Sequence, residues 1–169
     1  MMRSVRGFTL VELMITIGVM AIIAVMAVPS FTNMLLKQNL NKSTRDLVIV
    51  LEKARSKAAL ERRTVTVTLN SSSADTDSTL NSSSADTDST LNWAASGKAA
   101  LVSTTTSIVF RSDGMVQDPT TTTALLNSDL TLVLCDQAQA QAQYSKRIIL
   151  SRIGVVQQRD LVTGNCNAS

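Results

Sequence analysis

Histidine is absent from the 169-residue chain, and aromatic residues make up only 3% of it. The first absence excludes histidine-based acid–base catalysis, a Ser-His-Asp triad and any histidine-ligated metal. The two cysteines are too few for a zinc site made of cysteine alone. We therefore expect neither an enzyme nor a metal or cofactor site, and a core built from Val, Leu, Ile, Ala and Met.

Charged residues are also scarce, at 17% against about 25% in an average soluble protein. Residues 1–63 carry 10 Lys or Arg and 4 Asp or Glu, whereas residues 64–169 carry 6 and 9. The first third of the chain is therefore basic and the remainder slightly acidic. A uniformly basic nucleic-acid-binding domain would not show this division.

A long apolar run lies near the N-terminus, from Phe8 to Val28, behind Arg3 and Arg6. As a helix it would be about 31 Å long, which matches the ~30 Å hydrocarbon core of a bilayer. The basic flank predicts that the N-terminus stays in the cytoplasm and the rest of the chain faces outward. A secretory signal peptide, the first alternative, has a shorter apolar region and a small-residue cleavage site; a plain signal anchor is the second.

Glu12 lies inside this run, where a carboxylate costs about 3 kcal/mol or more at the bilayer centre. A plain anchor gains nothing from it, but a nearby cation would offset the cost. A cut between Gly7 and Phe8 would create such a cation, the free amino group of Phe8. In an assembly of parallel helices, Glu12 of one subunit could then pair with Phe8 of the next.

The string RGFTLVELMITIGVMAIIAVMAVPSF, Arg6 to Phe31, closely resembles the prepilin N-terminal motif of type IV pilins and type II secretion pseudopilins. The resemblance implies that a prepilin peptidase cuts after Gly7 and that Phe8 becomes N-methylated. It also implies that Glu12 is the glutamate used in subunit assembly and Pro29 a helix-kinking proline. By local chemistry alone, Pro29 suits either a kink or a helix end.

The segment from Ser30 to Arg63 contains neither glycine nor proline, and its apolar or small residues recur in steps of three and four. This spacing predicts an amphipathic helix that packs on the following domain and leaves a solvated basic side. The alternative is a basic face that binds DNA or anionic lipid. The predicted packing face consists of Leu36, Leu40, Thr44, Leu47, Leu51, Ala54 and Ala58.

An 11-residue sequence, NSSSADTDSTL, occurs twice without change, at Asn70–Leu80 and Asn81–Leu91. Its polar composition cannot form a core, so we predict an exposed loop over residues 70–91. Its four aspartates make only a weak case for a cation site, because no Gly turn or closing Glu follows them. These aspartates are Asp75, Asp77, Asp86 and Asp88.

Short β-rich stretches surround this repeat. Strands are predicted at Thr64–Leu69, Ser107–Phe110, Leu130–Leu134, Arg147–Ser151 and Ile153–Gln157. A turn is expected at Asp113–Gly114, a turn or bulge at Gly154, and a polar loop or hairpin tip over residues 137–143. In an exported domain, the lone pair of Cys135 and Cys166 most simply forms a disulfide.

The stretches ARSKAALERRTVTVTL, SIVFRSDGMV and RIILSRIGVVQ are similar to minor pilins and pseudopilins of the FimU/FimT and GspH type. The resemblance implies the α+β pilin fold, a long N-terminal helix packed on a small antiparallel sheet. Its expected parts are a leader (residues 1–7), a transmembrane and assembly helix (8–29), a stalk helix (30–63) and a β-rich head (64–169).

The resemblance implies a minor pilin of the pilus-initiating tip complex, which supports pilus biogenesis. The alternatives are a GspH-like pseudopilin of type II secretion and a FimT-like DNA-capturing pilin. The FimT-like motif, Gly-Arg-x-Arg, would fall at Gly154–Gln157, where Val155 and Gln157 replace both arginines. Because uncharged side chains make no ionic phosphate contacts, we expect no nucleic-acid partner.

The partners implied are other minor pilins, the major pilin, the prepilin peptidase and the inner-membrane assembly platform. The implied location is the bacterial inner membrane, with a single pass and a periplasmic head, followed by the pilus or pseudopilus.

Overall fold

The computed structural model describes residues 8–70, 87–118, 124–164 and 166, without the side chains of residues 26–29 and 70. Gly7 and the rest of the predicted leader lie outside these residues, as do Asp75, Asp77 and Asp86 of the repeat. The chain divides into two units, Met1–Leu35 and Leu36–Ser169.

A single long helix is followed by short strands. The helix α1 spans Leu10–Glu61, and a 3-10 turn lies at Gln139–Gln141. The strands are β1 (Val65–Asn70), β2 (Thr90–Ala94), β3 (Ala100–Val102), β4 (Ser107–Phe110), β5 (Leu130–Cys135), β6 (Tyr144–Leu150), β7 (Val156–Gln158) and β8 (Val162–Thr163). This order is the predicted α+β arrangement of a long helix before a β-rich head.

The C-terminal part of α1 packs by the predicted face. Of the seven residues expected there, six are buried and Leu36 is half-buried. Thr44 satisfies its buried hydroxyl by donating to the Leu40 carbonyl at 2.7 Å. The Ser43 hydroxyl accepts a hydrogen bond from the Ser96 backbone N–H at 2.8 Å, which ties the helix to the segment after β2.

The strands form two sheets. The first has the order β2-β1-β4, with β1 and β2 parallel and β1 and β4 antiparallel. The second is antiparallel, in the order β3-β5-β6-β7, and β8 also pairs with β6. Alternate residues of both sheets enter one core with the helix, including Val67, Phe110, Leu134 and Ile148.

The division into two sheets and the parallel pair β1–β2 differ from the single antiparallel sheet expected. The loop predicted over residues 70–91 also ends earlier, because β2 begins at Thr90. Leu91 and Trp93 are each 2% exposed on this strand. Their alternation with polar residues is the period-two signal of a strand, and it was hidden because Leu91 belongs to the second copy of the polar repeat.

The other strand predictions agree with the structure to within a few residues. The turn expected at Gly154 is present between β6 and β7, where Gly154 has a φ of 77°. A Cβ atom there would lie 2.5 Å from the Gly114 carbonyl oxygen, so a side chain would not fit. The short strands β3 and β8 were not predicted, because two or three residues carry too little pattern.

Candidate functional site

The first turn of α1 is capped by Thr9. The Thr9 hydroxyl accepts a hydrogen bond from the Glu12 backbone N–H at 3.2 Å, and its carbonyl accepts one from the Leu13 N–H. Thr9 is therefore the N-cap residue, which satisfies a backbone donor that the helix itself leaves unpaired. This role was not predicted from the sequence, although the spacing Thr-x-x-Glu is the signature of a capping box.

Phe8 and Glu12, the two residues predicted to act in assembly, lie on either side of this cap. Phe8 directly precedes Thr9 and is 79% exposed, and Glu12 is exposed in the first turn. Gly7, the other residue of the predicted cut, lies outside the described residues. The two assembly residues are therefore accessible to another molecule.

The helix surface from Leu10 to Val25 is apolar and exposed. Its large side chains are between 52% and 77% exposed, and Glu12 is the one charged residue in this stretch. Monomeric soluble proteins rarely leave a continuous apolar surface of this kind in water. The exposed side chains are Leu10, Val11, Leu13, Met14, Ile15, Ile17, Val19, Met20, Ile22, Ile23 and Val25.

No unbent helix in the described residues meets the length and hydropathy criteria of a membrane span. Leu10–Val25 and Ser30–Glu61, which meet at a 44° bend, satisfy these criteria together by length and composition. Pro29 falls in the four residues between them, and its assignment as the cause of a kink stays a prediction.

The C-terminal end of α1 is linked to the start of β2 through Arg63. Its guanidinium pairs with the carboxylates of Glu61 and Asp88, and the ammonium of Lys57 lies 3.8 Å from Asp88. Hydrogen bonding to Arg63 lowers the pKa of the Asp88 carboxyl, and the same contact raises the pKa of Arg63. Asp88 is largely exposed, so solvent screens this pairing.

Asp88, one of the four aspartates considered as a weak cation site, pairs instead with Arg63 and Lys57. In the described ranges, no three His, Cys, Asp or Glu side chains are grouped so that they could hold a metal ion. Two lysines of the predicted basic helix side, Lys37 and Lys57, also contact the head. Lys37, for example, lies 4.2 Å from the centre of the Tyr144 ring.

Cys135, the last residue of β5, forms a disulfide with Cys166 near the C-terminus, 31 residues further along. Both cysteines are buried and pack with Val133 in a small cluster apart from the main core. The neighbouring Asp136 is fully buried, and its Oδ1 accepts a hydrogen bond from the Gln143 N–H at 3.0 Å. The disulfide therefore attaches the C-terminal segment to the second sheet.

The stretch Gly154–Gln157 forms the turn after β6 and the first residues of β7. Val155 and Gln157, which stand where the DNA-binding motif has arginines, are exposed. Arg147, Arg152 and Arg159 are exposed as well.

Two family models match the chain. The model described as type II transport protein GspH matches residues 43–154, and that of the prokaryotic N-terminal methylation motif matches residues 2–28. No curated protein matches the chain. The crystal structure of the type IV minor pilin FimU from Pseudomonas aeruginosa (strain PAO1) is similar, with 15% identity and a TM-score of 0.45, over 73% of this chain and 90% of that one.

Proposed function

Because the chain belongs to the GspH family of minor pilins and pseudopilins and carries the prokaryotic N-terminal methylation motif, we propose that it is a minor type IV pilin of the pilus-initiating tip complex. It acts there by assembly with other subunits, without catalysis. The observation that carries the proposal is the exposed apolar helix Leu10–Val25 with Glu12 as its one charge.

In this proposal a prepilin peptidase cuts between Gly7 and Phe8 while the helix lies in the inner membrane. The cap supports this step, because the Thr9 side chain and carbonyl hold the first turn from a position after the cut. Removal of residues 1–7 therefore leaves the described cap intact. The helix that enters the filament keeps its ordered N-terminus.

The cut gives Phe8 a free amine two residues before the start of α1. A positive charge near a helix N-terminus is unfavourable with the helix dipole by about 0.3–1 kcal/mol. The carboxylate of Glu12 from a neighbouring subunit forms an ion pair with this amine, so that each charge neutralises the other. Inside an apolar bundle either charge left unpaired is strongly unfavourable, so the pairing selects a defined stagger between subunits.

The subunit enters the filament with its apolar segment in the bundle of helices and its head outward. Its partners are other minor pilins, the major pilin and the inner-membrane assembly platform. The stretches 54–69, 107–116 and 147–157 resemble minor pilins and pseudopilins of the FimU/FimT and GspH type, and Val155 and Gln157 in place of the two motif arginines favour the tip complex over DNA capture. The second candidate is a pseudopilus of type II secretion, which the GspH family match favours.

The test is a clean deletion of the gene, complemented with wild type, Glu12→Gln, Glu12→Asp or Gly7→Val. We expect pili on the cell surface to be lost in the deletion and restored by wild type. Glu12→Gln removes the charge at nearly constant size, so it should be cleaved but fail to restore pili. Glu12→Asp keeps the charge and should restore them in part, whereas Gly7→Val should remain uncut.

Electron microscopy and sheared-pilus yields measure assembly, and mass spectrometry of the N-terminus measures cleavage and methylation. Normal pili in the deletion strain would contradict the tip role. Loss of exported enzymes in that strain would then identify the secretion pseudopilus. Full function of Glu12→Gln would refute the charge-pairing mechanism in either filament.

A further inference from the structure

The second sheet ends in an edge formed by β7 and β8, which lie side by side along β6. β7 pairs with Ile148–Leu150 and β8 with Tyr144–Ser145. We call the segment from residue 153 to residue 163 the β7–β8 edge. In the described part of the chain, no strand pairs with its outer side.

The backbone of this edge presents hydrogen-bonding groups that have no partner among the described residues. The Ser151 N–H donates to the Val155 carbonyl, and the Arg159 N–H donates to the Arg147 carbonyl. Because inward and outward groups alternate along an antiparallel strand, Val156 and Gln158 direct their N–H and C=O away from β6. Such groups are a template for an added strand.

Two arginines face each other across this edge. The bond from the Arg159 N–H to the Arg147 carbonyl, at 2.8 Å, places the two residues opposite one another. Like charges directly opposite on neighbouring strands are destabilising. Both side chains are exposed, and neither makes an ion pair among the described residues. Arg159 on the edge, Arg147 on β6 and Arg152 just before the edge give three positive charges here against the single negative charge of Asp160.

Apolar side chains lie at both ends of the edge. Ile153 and Val155 are exposed at the β6–β7 turn, and Leu161 and Val162 are exposed at β8. The partner residues on β6, Ser145 and Leu150, are five positions apart, or about 17 Å along a strand. An extended segment of six to eight residues would therefore cover both ends and the arginines between them.

We propose that the β7–β8 edge binds an extended acidic segment of another filament subunit, which adds as a strand and places its carboxylates on Arg147 and Arg159. A protein segment fits better than a nucleic acid. Phosphates would pair with the arginines and could accept from the outward N–H groups, but they would leave the outward carbonyls of Val156 and Gln158 and the apolar ends without a partner. This inference rests on the proposed function, because it requires neighbouring subunits.

The test places a photo-crosslinking benzoylphenylalanine at Leu161 of the full chain, expressed in its own cells, with the same group at exposed Lys98 as an off-edge control. We expect a cross-link from position 161 to a segment of another subunit that contains at least two Asp or Glu. Arg147→Glu with Arg159→Glu should lower its yield at least about tenfold, equivalent to 1.4 kcal/mol.

Gln158→Pro tests the strand pairing, because it removes an outward N–H and leaves the pairing with β6. It should lower the yield, whereas Gln158→Ala, which keeps the N–H, should not. Changing the identified acidic residues to Lys should restore the cross-link in the doubly reversed variant. Thermal unfolding of each variant shows that its fold is kept.

Three outcomes overturn the inference: no cross-link above the Lys98 control, a cross-link to nucleic acid, or a yield unaffected by charge reversal. The same strains separate its failure from that of the proposed function. If the gene deletion abolishes pili and wild type restores them, but position 161 of the otherwise wild-type chain gives no cross-link above the Lys98 control, only the edge proposal fails. If pili and secretion are both normal in the deletion strain, the proposed function fails.

Discussion

Arg62 should be replaceable by glycine with a gain in stability. It is the first residue after α1 and has a φ of 52°, the one positive φ outside glycine in the described chain. The Arg63 N–H then donates to the Ala58 carbonyl at 3.2 Å, which closes the helix end. This is the bond pattern of a Schellman motif, whose left-handed position is usually glycine.

The expected magnitude follows from two opposing effects. The left-handed conformation costs an L-residue about 1–2 kcal/mol. Glycine avoids that cost but loses more backbone entropy on folding, by about 0.5–1 kcal/mol. Because the Arg62 side chain is exposed, little else should change. Arg62→Gly should therefore raise the free energy of unfolding by about 0.5–1 kcal/mol, and Tm by about 2–3 °C in a chain of this size.

The assay is thermal and urea unfolding of the full chain in detergent micelles, comparing wild type with Arg62→Gly and Arg62→Ala. The alanine variant removes the guanidinium but keeps the Cβ, so it should remain within about 0.5 kcal/mol of wild type. Equal stabilisation by alanine and glycine would identify charge repulsion as the cause. A glycine variant no more stable than wild type would refute the backbone argument.

Three further predictions concern the head. Deleting Asn70–Leu80 leaves one copy of the repeat and shortens the connection from β1 to β2 from 19 residues to 8. Because eight residues still span the roughly 14 Å back along β1, the free energy of unfolding should rise by about 0.8 kcal/mol. A clear fall in Tm would contradict this. Replacing both Cys135 and Cys166 with alanine removes a cross-link between residues 31 positions apart. The free energy of unfolding, measured in urea, should fall by about 3–4 kcal/mol. An unchanged urea midpoint would show that the disulfide does not stabilise the fold. Asp88→Asn should destabilise the head at neutral pH and lose its effect in acid. Pairing with Arg63 holds the folded pKa of Asp88 below its ordinary 3.8, so the stabilisation is present above pH 3.8 and is lost as the pH falls through the folded pKa. A difference in stability from wild type that persists at the lowest pH would refute this reasoning.

Local pattern was sufficient to predict the helix, its packing face and most strands. The seven apolar or small positions from Leu36 to Ala58 follow the helical period, and six of them are buried in the fold. The strand β1 is a strict alternation of threonine with Val or Leu, and its inward residues are buried. Such periodic patterns depend only on residues close in sequence, so they can be recognised before the fold is known.

Pairing between distant segments could not be predicted in the same way. The parallel partner of β1 is β2, which begins at the end of the repeat. In the sequence Leu91 belongs to the polar repeat, and only the structure shows that Leu91 and Trp93 are both buried in the core. Arg63 and Asp88 are 25 residues apart and carry no common motif. The tertiary fold decides which charged side chains pair and which strand edge has no neighbouring strand.

For the assembly segment, the sequence alone determined the essential chemistry. An apolar run of membrane length, a carboxylate as its one charge and the predicted cut site before Phe8 are properties of consecutive residues, because they depend on composition and spacing. The tertiary structure decided what these residues do not encode locally. It bonded Cys166 to Cys135 at the end of β5 and set Arg147 opposite Arg159 at an open edge, since contacts between distant segments exist only once the chain has folded.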